Sequence, residues 1–215
     1  MKPDAQSMLL EDKRAVILRI AAEEFARCGY EGASTNTITQ RAGISKGILF
    51  HYYGSKKQLY LTLLKDMVER FAALSEQQTA EINGPSLYDN MAALFRSKAE
   101  YMGRYSLHLE FMEKAAREQT PEVMADIRLI YARLAATLTA QRAELAHRSI
   151  HAAKLREGIT ESQALECVTM SLDALNNRFA ALYKVKGSEV LTKPELILDT
   201  MRLYLDVVCR GLFEE

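Results

Sequence analysis

The sequence predicts an all-helical fold, and three observations lead to that expectation. Apolar residues recur at helical spacing along almost the whole chain, whereas strict alternation of apolar and polar residues is hard to find. The composition, with 48% hydrophobic and 26% charged residues and only 10 Gly and 4 Pro, is that of an ordered globular protein rather than a disordered, fibrous or low-complexity chain. Capping residues, glycines and prolines divide the chain into about nine helices.

The first three predicted helices are short or of medium length, and glycines separate them. Gly29 follows the apolar stripe of the first helix and should end it, because a left-handed residue is wanted there. Ser34 is placed to cap a second helix over about 34–42, and Ser45 a third helix over about 45–53.

The later predicted helices are longer and carry equally clear starting signals. Ser55 and Gln58 match a capping box that opens a fourth helix, and Thr160 and Gln163 match a second one. The predicted spans of the fourth and later helices are about 55–82, 86–101, 104–117, 120–158, 160–186 and 192–212.

Length and composition also bound the kind of protein. The 215 residues fit one domain or at most two. No apolar run approaches the ~20 residues of a membrane span, and acids interrupt the first residues where a signal peptide needs an apolar core, so we expect a cytoplasmic protein without a membrane partner. Three widely spaced cysteines without a C-x-x-C pair imply neither a disulfide framework nor a zinc site, and no cofactor is expected.

Charge is distributed unevenly along the chain. Residues 32–65 hold five bases and no acid, although the whole chain has 28 Lys+Arg and 28 Asp+Glu. The five bases are Arg41, Lys46, Lys56, Lys57 and Lys65. The local charge of +5 is therefore balanced by −5 elsewhere, and the neutral total conceals a basic end that suits DNA.

Within this basic segment, two short helices joined by a tight turn at 43–45 match a helix-turn-helix motif over about 34–53. Such a motif lays its second helix in the major groove, while caps and flanking bases hold phosphates. A glycine inside a helix costs about 1 kcal/mol relative to alanine, and Gly47 makes sense if the helix must approach DNA closely. Leu49 and Tyr53 lie four residues apart, so we expect both to face the core.

A longer pattern of fixed spacing surrounds the motif. It comprises Ile17, Ala21, Ala22, Phe25, Gly29, Tyr30, Ser34, Ile38, Ala42, Gly43, Ile44, Ser45, Lys46, Gly47, Leu49, Phe50, Tyr52, Tyr53, Ser55, Lys56 and Leu59. This pattern resembles the N-terminal domain of the TetR family of bacterial transcriptional regulators. The remaining residues resemble the family only in layout. The resemblance implies a helix-turn-helix DNA-binding domain at 1–54 and a helical ligand-binding and dimerisation domain at 55–215.

The resemblance also implies the residues that meet DNA. Ser34 would cap the second helix onto a phosphate, and Asn36 could hydrogen-bond adenine. The complete predicted set is Ser34, Thr35, Asn36, Ser45, Lys46, Gly47, Ile48, Phe50, His51, Tyr52 and Lys56.

Three positions depart from the usual family pattern. Phe50 stands where tyrosine is commoner, so a hydroxyl contact with a phosphate is lost, and Ile48 replaces a frequent threonine, which favours contact with a thymine methyl group. Thr39 stands where alanine is usual, with an effect on packing that the sequence leaves open.

The C-terminal two-thirds is rich in methionine and aromatic residues. For any one of them, packing in the core is the safer interpretation. Together, however, they suit a malleable apolar pocket with a few polar anchors. Candidate polar anchors include Glu110 and Asn177. The pocket residues predicted with the resemblance are Phe71, Phe95, Met102, Tyr105, His108, Phe111, Met112, Ile127, Tyr131, Asn176 and Phe179. The effector would be small and apolar or amphipathic.

The last two predicted helices have broad apolar faces, which a monomer's core could absorb. The resemblance implies instead that the pair packs against its twofold mate, so that a homodimer reads a pseudo-palindromic operator. The predicted interface residues are Leu165, Val168, Leu172, Leu196, Met201, Leu205 and Val208.

The sequence therefore predicts a ligand-responsive DNA-binding regulator, most simply a repressor. A rival hypothesis is a constitutive DNA-binding protein of the same fold whose C-terminal domain binds a protein partner. An enzyme is the weaker rival, because His147 and His151 have the spacing of a metal pair but lack the glutamate of H-E-x-x-H, and no nucleotide-binding or hydrolase motif occurs. No metal site is predicted.

Overall fold

The computed structural model of the chain describes residues 5–186 and 195–213, and within them all side chains except those at 5–12, 98–99, 102–103, 180, 183–184 and 196–197. The described residues form nine α-helices without a β-strand, apart from an isolated bridge between Leu155 and Phe213. The predicted all-α class is thereby confirmed. The helices are α1 (Ala5–Gly32), α2 (Thr35–Ala42), α3 (Lys46–Tyr53), α4 (Lys56–Glu81), α5 (Leu87–Arg104), α6 (Ser106–Ala116), α7 (Pro121–His151), α8 (Glu161–Lys186) and α9 (Glu195–Leu212).

Packing divides the chain into two compact units. The first comprises Met1–Phe71 and Tyr105–Ala135, and the second comprises Ala72–Arg104 and Ala136–Glu215. The functional boundary predicted after residue 54 remains a prediction, because a packing unit need not coincide with a functional domain.

Side-chain caps begin the helices where the sequence predicted them. The Ser34 hydroxyl accepts from the N–H of Thr37, and the Ser45 hydroxyl accepts from the N–H of Ile48 at 3.2 Å. The capping box at the start of α8 is reciprocal: Gln163 N donates to Thr160 Oγ1, and Thr160 N donates to Gln163 Oε1. Each cap satisfies backbone donors that a helix N-terminus otherwise leaves unpaired.

One predicted helix end is wrong, and another is confirmed in part. Gly29 interrupts the helical conformation with a positive φ of 72°, as predicted, but helical structure resumes after this kink and α1 continues to Gly32. Helix α7 ends at His151 rather than near residue 158, because the following segment pairs with the end of α9, where Arg156 N donates to Leu212 O at 2.9 Å. The predicted stop at 187 and start at 192 lie outside the described residues.

An aromatic cluster forms the centre of the first unit. The Tyr60 ring lies 4.8 Å from the ring of Phe25, 5.1 Å from that of Tyr30 and 5.2 Å from that of Phe111, in edge-to-face arrangements. These contacts join α1, α4 and α6. Ile38, Leu49 and Tyr53 are also buried, which confirms that the last two face the core.

The carboxylate of Glu118, in the corner between α6 and α7, fixes the kink in α1. Glu118 Oε2 accepts from the N–H of Tyr30 at 3.0 Å, and Oε1 accepts from the backbone N–H groups of Gln119 and Thr120 and from the Thr120 hydroxyl. Burial acts to raise the pKa of Glu118, but these hydrogen bonds together hold it below the ordinary value.

The core of the second unit consists of apolar faces of α5, α8 and α9 and the C-terminal part of α7. Four side chains predicted at a dimer interface belong to this core, namely Val168, Leu172, Met201 and Leu205. Their burial in this packing leaves little surface for a partner, and their role at an interface remains a prediction. Leu165 and Val208 are partly buried against the same core, and the Leu196 side chain lies outside the described residues.

Phe111 should be a major source of stability. We expect Phe111→Ala to lower the free energy of unfolding by about 3–5 kcal/mol, because it empties the space beside the Phe25 and Tyr60 rings. Urea unfolding measures the change. Leu129→Ala is the control: Leu129 is 52% exposed in the same unit, so its loss should change the value by no more than about 0.5 kcal/mol. Equal effects would contradict the assignment of Phe111 to the core.

Glu118 should make stability depend on pH. A carboxyl whose pKa is lower in the folded state contributes stability above its unfolded pKa and loses that contribution as the pH falls through the folded value. We expect Glu118→Gln to be less stable than the parent at pH 7, with the difference shrinking as the pH falls below about 4.5. Glu157→Gln, at an exposed position, should follow the parent at every pH. A constant gap for Glu118→Gln would show that its charge is not involved.

Candidate nucleic-acid interface

The eleven residues predicted to meet DNA lie together on α2, α3 and the first turn of α4, all in the first unit. The exposed ones are Asn36, Ser45, Lys46, Gly47, Ile48, Phe50 and His51, and the partly exposed ones are Ser34, Thr35, Tyr52 and Lys56. None of the eleven is buried, so the structure leaves all of them accessible to a ligand. Their contacts with DNA remain a prediction.

A buried carboxylate positions the start of α2. Glu24 is 2% exposed; its Oε1 accepts from the N–H of Ser34 at 3.2 Å, and its Oε2 accepts from Arg27 at 2.7 Å. Burial acts to raise the pKa of Glu24, but the hydrogen bonds from Arg27 and Ser34 hold it below the ordinary value. An ionised Glu24 thus fixes the residue that caps α2.

The structure answers the question that Thr39 left open. The side chain is 6% exposed, and its hydroxyl donates to the carbonyl oxygen of Asn36 at 3.0 Å. The extra polar atom is therefore buried with a partner, which removes the cost of an unpaired hydroxyl. Thr39 is accommodated within α2 without disturbing the motif.

Helix α3 turns one face inward and another outward. Leu49 and Tyr53 are buried, whereas Ile48 is 44% exposed and Phe50 is 37% exposed. Large apolar side chains beside an exposed Lys46 give this face both of the contacts that a recognition helix makes, with phosphates or base edges and with thymine methyl groups.

Gly47 is not required by the chain's own packing. A Cβ atom built there would meet only the Ser45 hydroxyl oxygen, at 3.7 Å, which is an ordinary van der Waals distance. The helix could thus accept alanine, which is intrinsically better by about 1 kcal/mol. The absence of an internal reason for glycine favours the close approach of another molecule.

Fewer bases at this surface lack an acidic partner than the sequence indicated. Arg41 pairs with Glu23, and Lys57 pairs with Asp126 at 2.8 Å, so acids from outside the segment neutralise two of its five bases. Lys56 Nζ donates to the Glu31 carbonyl oxygen at 3.0 Å and lies 5.0 Å from the centre of the Tyr30 ring. Lys46 makes no ion pair with the described residues.

Sequence reasoning missed two bases on α1. A groove of about 530 Å³ runs between α1 and α3, with Lys13 on one side and His51 and Tyr52 on the other. The Arg14 guanidinium carbon lies 5.9 Å from the centre of the Tyr52 ring. Neither base could be found from the motif, because both precede the family pattern, and only the folding of α1 alongside α3 brings them close.

The residues predicted for an effector pocket do not form one cluster within either unit. In the first unit are Phe71, Tyr105, His108, Phe111, Met112, Ile127 and Tyr131, and in the second are Phe95, Asn176 and Phe179. The Met102 side chain lies outside the described residues. Their role as a pocket remains a prediction.

Phe111 and Ile127 are enclosed by the first unit's own packing. Phe111 belongs to the aromatic core and is 0% exposed, and Ile127 is 3% exposed, so both are core residues in this structure. Helical periodicity identifies such positions as inward-facing but does not distinguish a filled core from a cavity wall.

The remaining predicted pocket residues include three pairs that are in contact. The Tyr105 and His108 rings stack at 5.5 Å, the Tyr131 hydroxyl donates to the Met112 carbonyl oxygen, and the Phe95 and Phe179 rings meet edge to face at 5.6 Å. Burial, with the nearby Arg70, lowers the pKa of His108, so its imidazole is neutral near pH 7. Glu110, Asn176 and Asn177 are exposed.

The pair of histidines that resembled a metal site has other neighbours. The His147 and His151 rings stack in parallel at 6.3 Å, and His151 Nδ1 lies 3.0 Å from Glu161 Oε1. Within the described residues, no group of three or more His, Cys, Asp or Glu side chains is arranged to hold a metal ion. Nor does any helix in this part of the chain combine the length and hydrophobicity that crossing a membrane requires.

Comparison with solved structures shows the fold. The chain is similar to a TetR-family regulator from Mesorhizobium loti, with TM-score 0.67 and 16% identity over 95% of this chain and 98% of that one. It is also similar to the regulator FadR from Bacillus subtilis, solved with stearoyl-CoA, with TM-score 0.59 and 14% identity over 87% and 97% of the two chains.

Sequence comparison concentrates on the N-terminal part. Residues 17–63 match the model of bacterial regulatory proteins of the tetR family. The transcriptional repressor AcnR of Corynebacterium efficiens is 29% identical over 118 residues, which cover 49% of this chain and 63% of AcnR, less than two thirds of its length. The transcriptional activator FasR of Mycolicibacterium smegmatis is 35% identical over 63 residues, 29% of each chain. The helix-turn-helix part of the chain, residues 17–63, is thus that of the tetR family of bacterial regulatory proteins, and the fold of the described residues is similar to that of solved TetR-family regulators.

Proposed function

We propose that the protein is a homodimeric repressor that binds a pseudo-palindromic DNA operator and releases it when a small apolar or amphipathic effector binds. The observation that carries the DNA-binding part is the outward face of α3, where Lys46, Ile48 and His51 are exposed beside a glycine that internal packing does not require. The naming of AcnR as a repressor supports the sign of regulation, whereas FasR is named an activator.

The effector would bind within residues 55–215, where the resemblance puts the ligand-binding domain. The stearoyl-CoA in the FadR structure is an amphipathic molecule held by a protein of the same fold, which supports that class of effector. Binding changes the operator affinity only if the effector prefers a conformation in which the two recognition helices have the wrong separation. An effector with equal affinity for both conformations would leave DNA binding unchanged.

Dimerisation would use the apolar side chains that the second unit leaves exposed. Leu203 and Val207 of α9 are 64% and 65% exposed and lie one helical turn apart, Tyr204 is beside them, and Met170 of α8 is 67% exposed. A twofold interface brings the same patch of both copies together, so this strip is suited to meet its own copy. These residues replace the buried ones that the sequence suggested.

A salt titration tests the DNA contacts. After an operator is selected from random duplexes, we expect Lys46→Ala and Lys56→Ala each to weaken binding of the operator and of an unrelated duplex alike. The slope of log K against log salt should fall by about one for each lost phosphate contact. Arg128→Ala, an exposed base on α7, is the control.

Three results would count against parts of this proposal. Slopes equal to the parent's in both variants would refute the phosphate roles of Lys46 and Lys56. Failure of the parent to bind any duplex at low salt would overturn the proposed function and favour the enzyme hypothesis. Operator binding that no small molecule alters but a bound protein does would favour the constitutive DNA-binding alternative.

A charge in the apolar strip should separate the dimer. Val207→Glu puts two like charges across a twofold interface, a cost of several kcal/mol, so we expect the dimer dissociation constant to rise by roughly two orders of magnitude. Sedimentation or light scattering measures the mass, and operator affinity should fall with it. Leu129→Glu, at another exposed leucine, should remain dimeric. A dimeric Val207→Glu would exclude the strip from the interface.

A further inference from the structure

The first helix presents two bases that the family pattern does not include. Lys13 and Arg14 are exposed on α1, and neither makes an ion pair with the described residues. The two other arginines on α1 are held by acids: Arg19 pairs with Glu23 at 2.6 Å, and Arg27 pairs with Glu24 at 2.7 Å. Glu11 and Asp12 directly precede the pair in the sequence, and their side chains lie outside the described ones. Among the described residues, no acid pairs with Lys13 or Arg14.

Two successive contacts link Arg14 to the aromatic side chains of α3. Its guanidinium carbon lies 5.9 Å from the centre of the Tyr52 ring, within the range of a cation–π contact. The Tyr52 ring in turn meets the His51 ring at 5.8 Å, nearly edge to face. A guanidinium carries five N–H donors in a planar fork that matches the oxygens of a phosphate.

Lys13 lies on the wall of a groove rather than on a flat surface. The groove between α1 and α3 has a volume of about 530 Å³, and its other wall contains Ser45, Gly47 and His51. All three are residues predicted to meet DNA. A strand of DNA against the α3 side of this groove would pass in front of Lys13, and Arg14 is held beside Tyr52 at the same end.

We infer that Lys13 and Arg14, the α1 basic pair, form a further binding site for backbone phosphates of duplex DNA, beside the face that the recognition helix presents. This inference rests on the proposed DNA-binding function and extends its footprint from the motif to α1. The contacts are electrostatic and sequence-independent, because a phosphate oxygen carries no base information. They add affinity to every duplex and leave the choice of operator to α3.

Single substitutions measure the contribution of each base. We expect Lys13→Ala and Arg14→Ala each to reduce the slope of log K against log salt by about 0.9, which makes the loss of affinity between 50 and 200 mM salt roughly threefold smaller. The reduction should be the same for the selected operator and for an unrelated duplex. Arg14→Lys keeps the charge and should keep most of the slope.

Arg19→Ala is the matched control, because it removes an exposed arginine of the same helix that already has an acidic partner. Its slope should equal the parent's. All three positions changed here are exposed, and thermal unfolding followed by circular dichroism should give the parent's midpoint. A variant with an altered midpoint is replaced by Lys13→Gln or Arg14→Gln.

The outcomes separate this inference from the function on which it rests. Parent-like slopes for Lys13→Ala and Arg14→Ala, in a parent that binds DNA, overturn the α1 site alone. Losses confined to the selected operator also overturn it, because they would indicate contact with base edges rather than phosphates. A parent that binds no duplex overturns the proposed function and the α1 site together.

Discussion

The edge-to-face packing of Tyr60 on Phe25, Tyr30 and Phe111 is the interaction on which the first unit depends. It joins three helices that are distant in sequence, and it does so at the end of α1 from which α2 and α3 continue. Because α2 and α3 have eight residues each, they cannot be stable alone and take their orientation from what they pack on. Leu49 and Tyr53 dock α3 on that support, and their burial decides which residues of α3 remain outside.

Electrostatics then restricts what the outer face can bind. The sequence shows five bases without an acid over 34 residues. In the folded structure, however, Glu23 pairs with Arg41 and Asp126 pairs with Lys57. Of the five bases, Lys46, Lys56 and Lys65 have no acidic partner among the described residues, and in our inference Lys13 and Arg14 add to the positive charge at this surface. A small positive patch on a chain of zero net charge can orient a protein on DNA without making the whole surface adhere to it.

Helix caps could be predicted from the sequence, whereas contacts between residues far apart in the sequence could not. Ser34, Ser45 and Thr160 cap helices through contacts with residues three positions away, so a few neighbouring residues are enough to predict their roles. The end of α7 depends on pairing with residue 212, and no local pattern contains that information. The motif residues were identified because a resemblance with fixed spacing covered them.

The same limit applies to the predicted interface and pocket. Periodicity shows that Val168 and Leu205 face inward, but it does not say whether their own chain or a second copy covers them. Phe111 also faces inward, and an inward-facing aromatic ring suits a core and a cavity wall equally well. Only the packed structure distinguishes a covered face from an open one.

The kink at Gly29 has a mechanical consequence. It turns the Tyr30 N–H toward Glu118, while the Ser34 N–H four residues later is held by Glu24. Two carboxylates thus clamp the main chain on either side of the α1–α2 connection, and free rotation at that joint would break a charge-assisted hydrogen bond. We therefore expect a displacement of the α6–α7 corner to move α1 and α2 together. The helix-turn-helix motif would then move as a rigid body, without a change in the angle between α1 and α2.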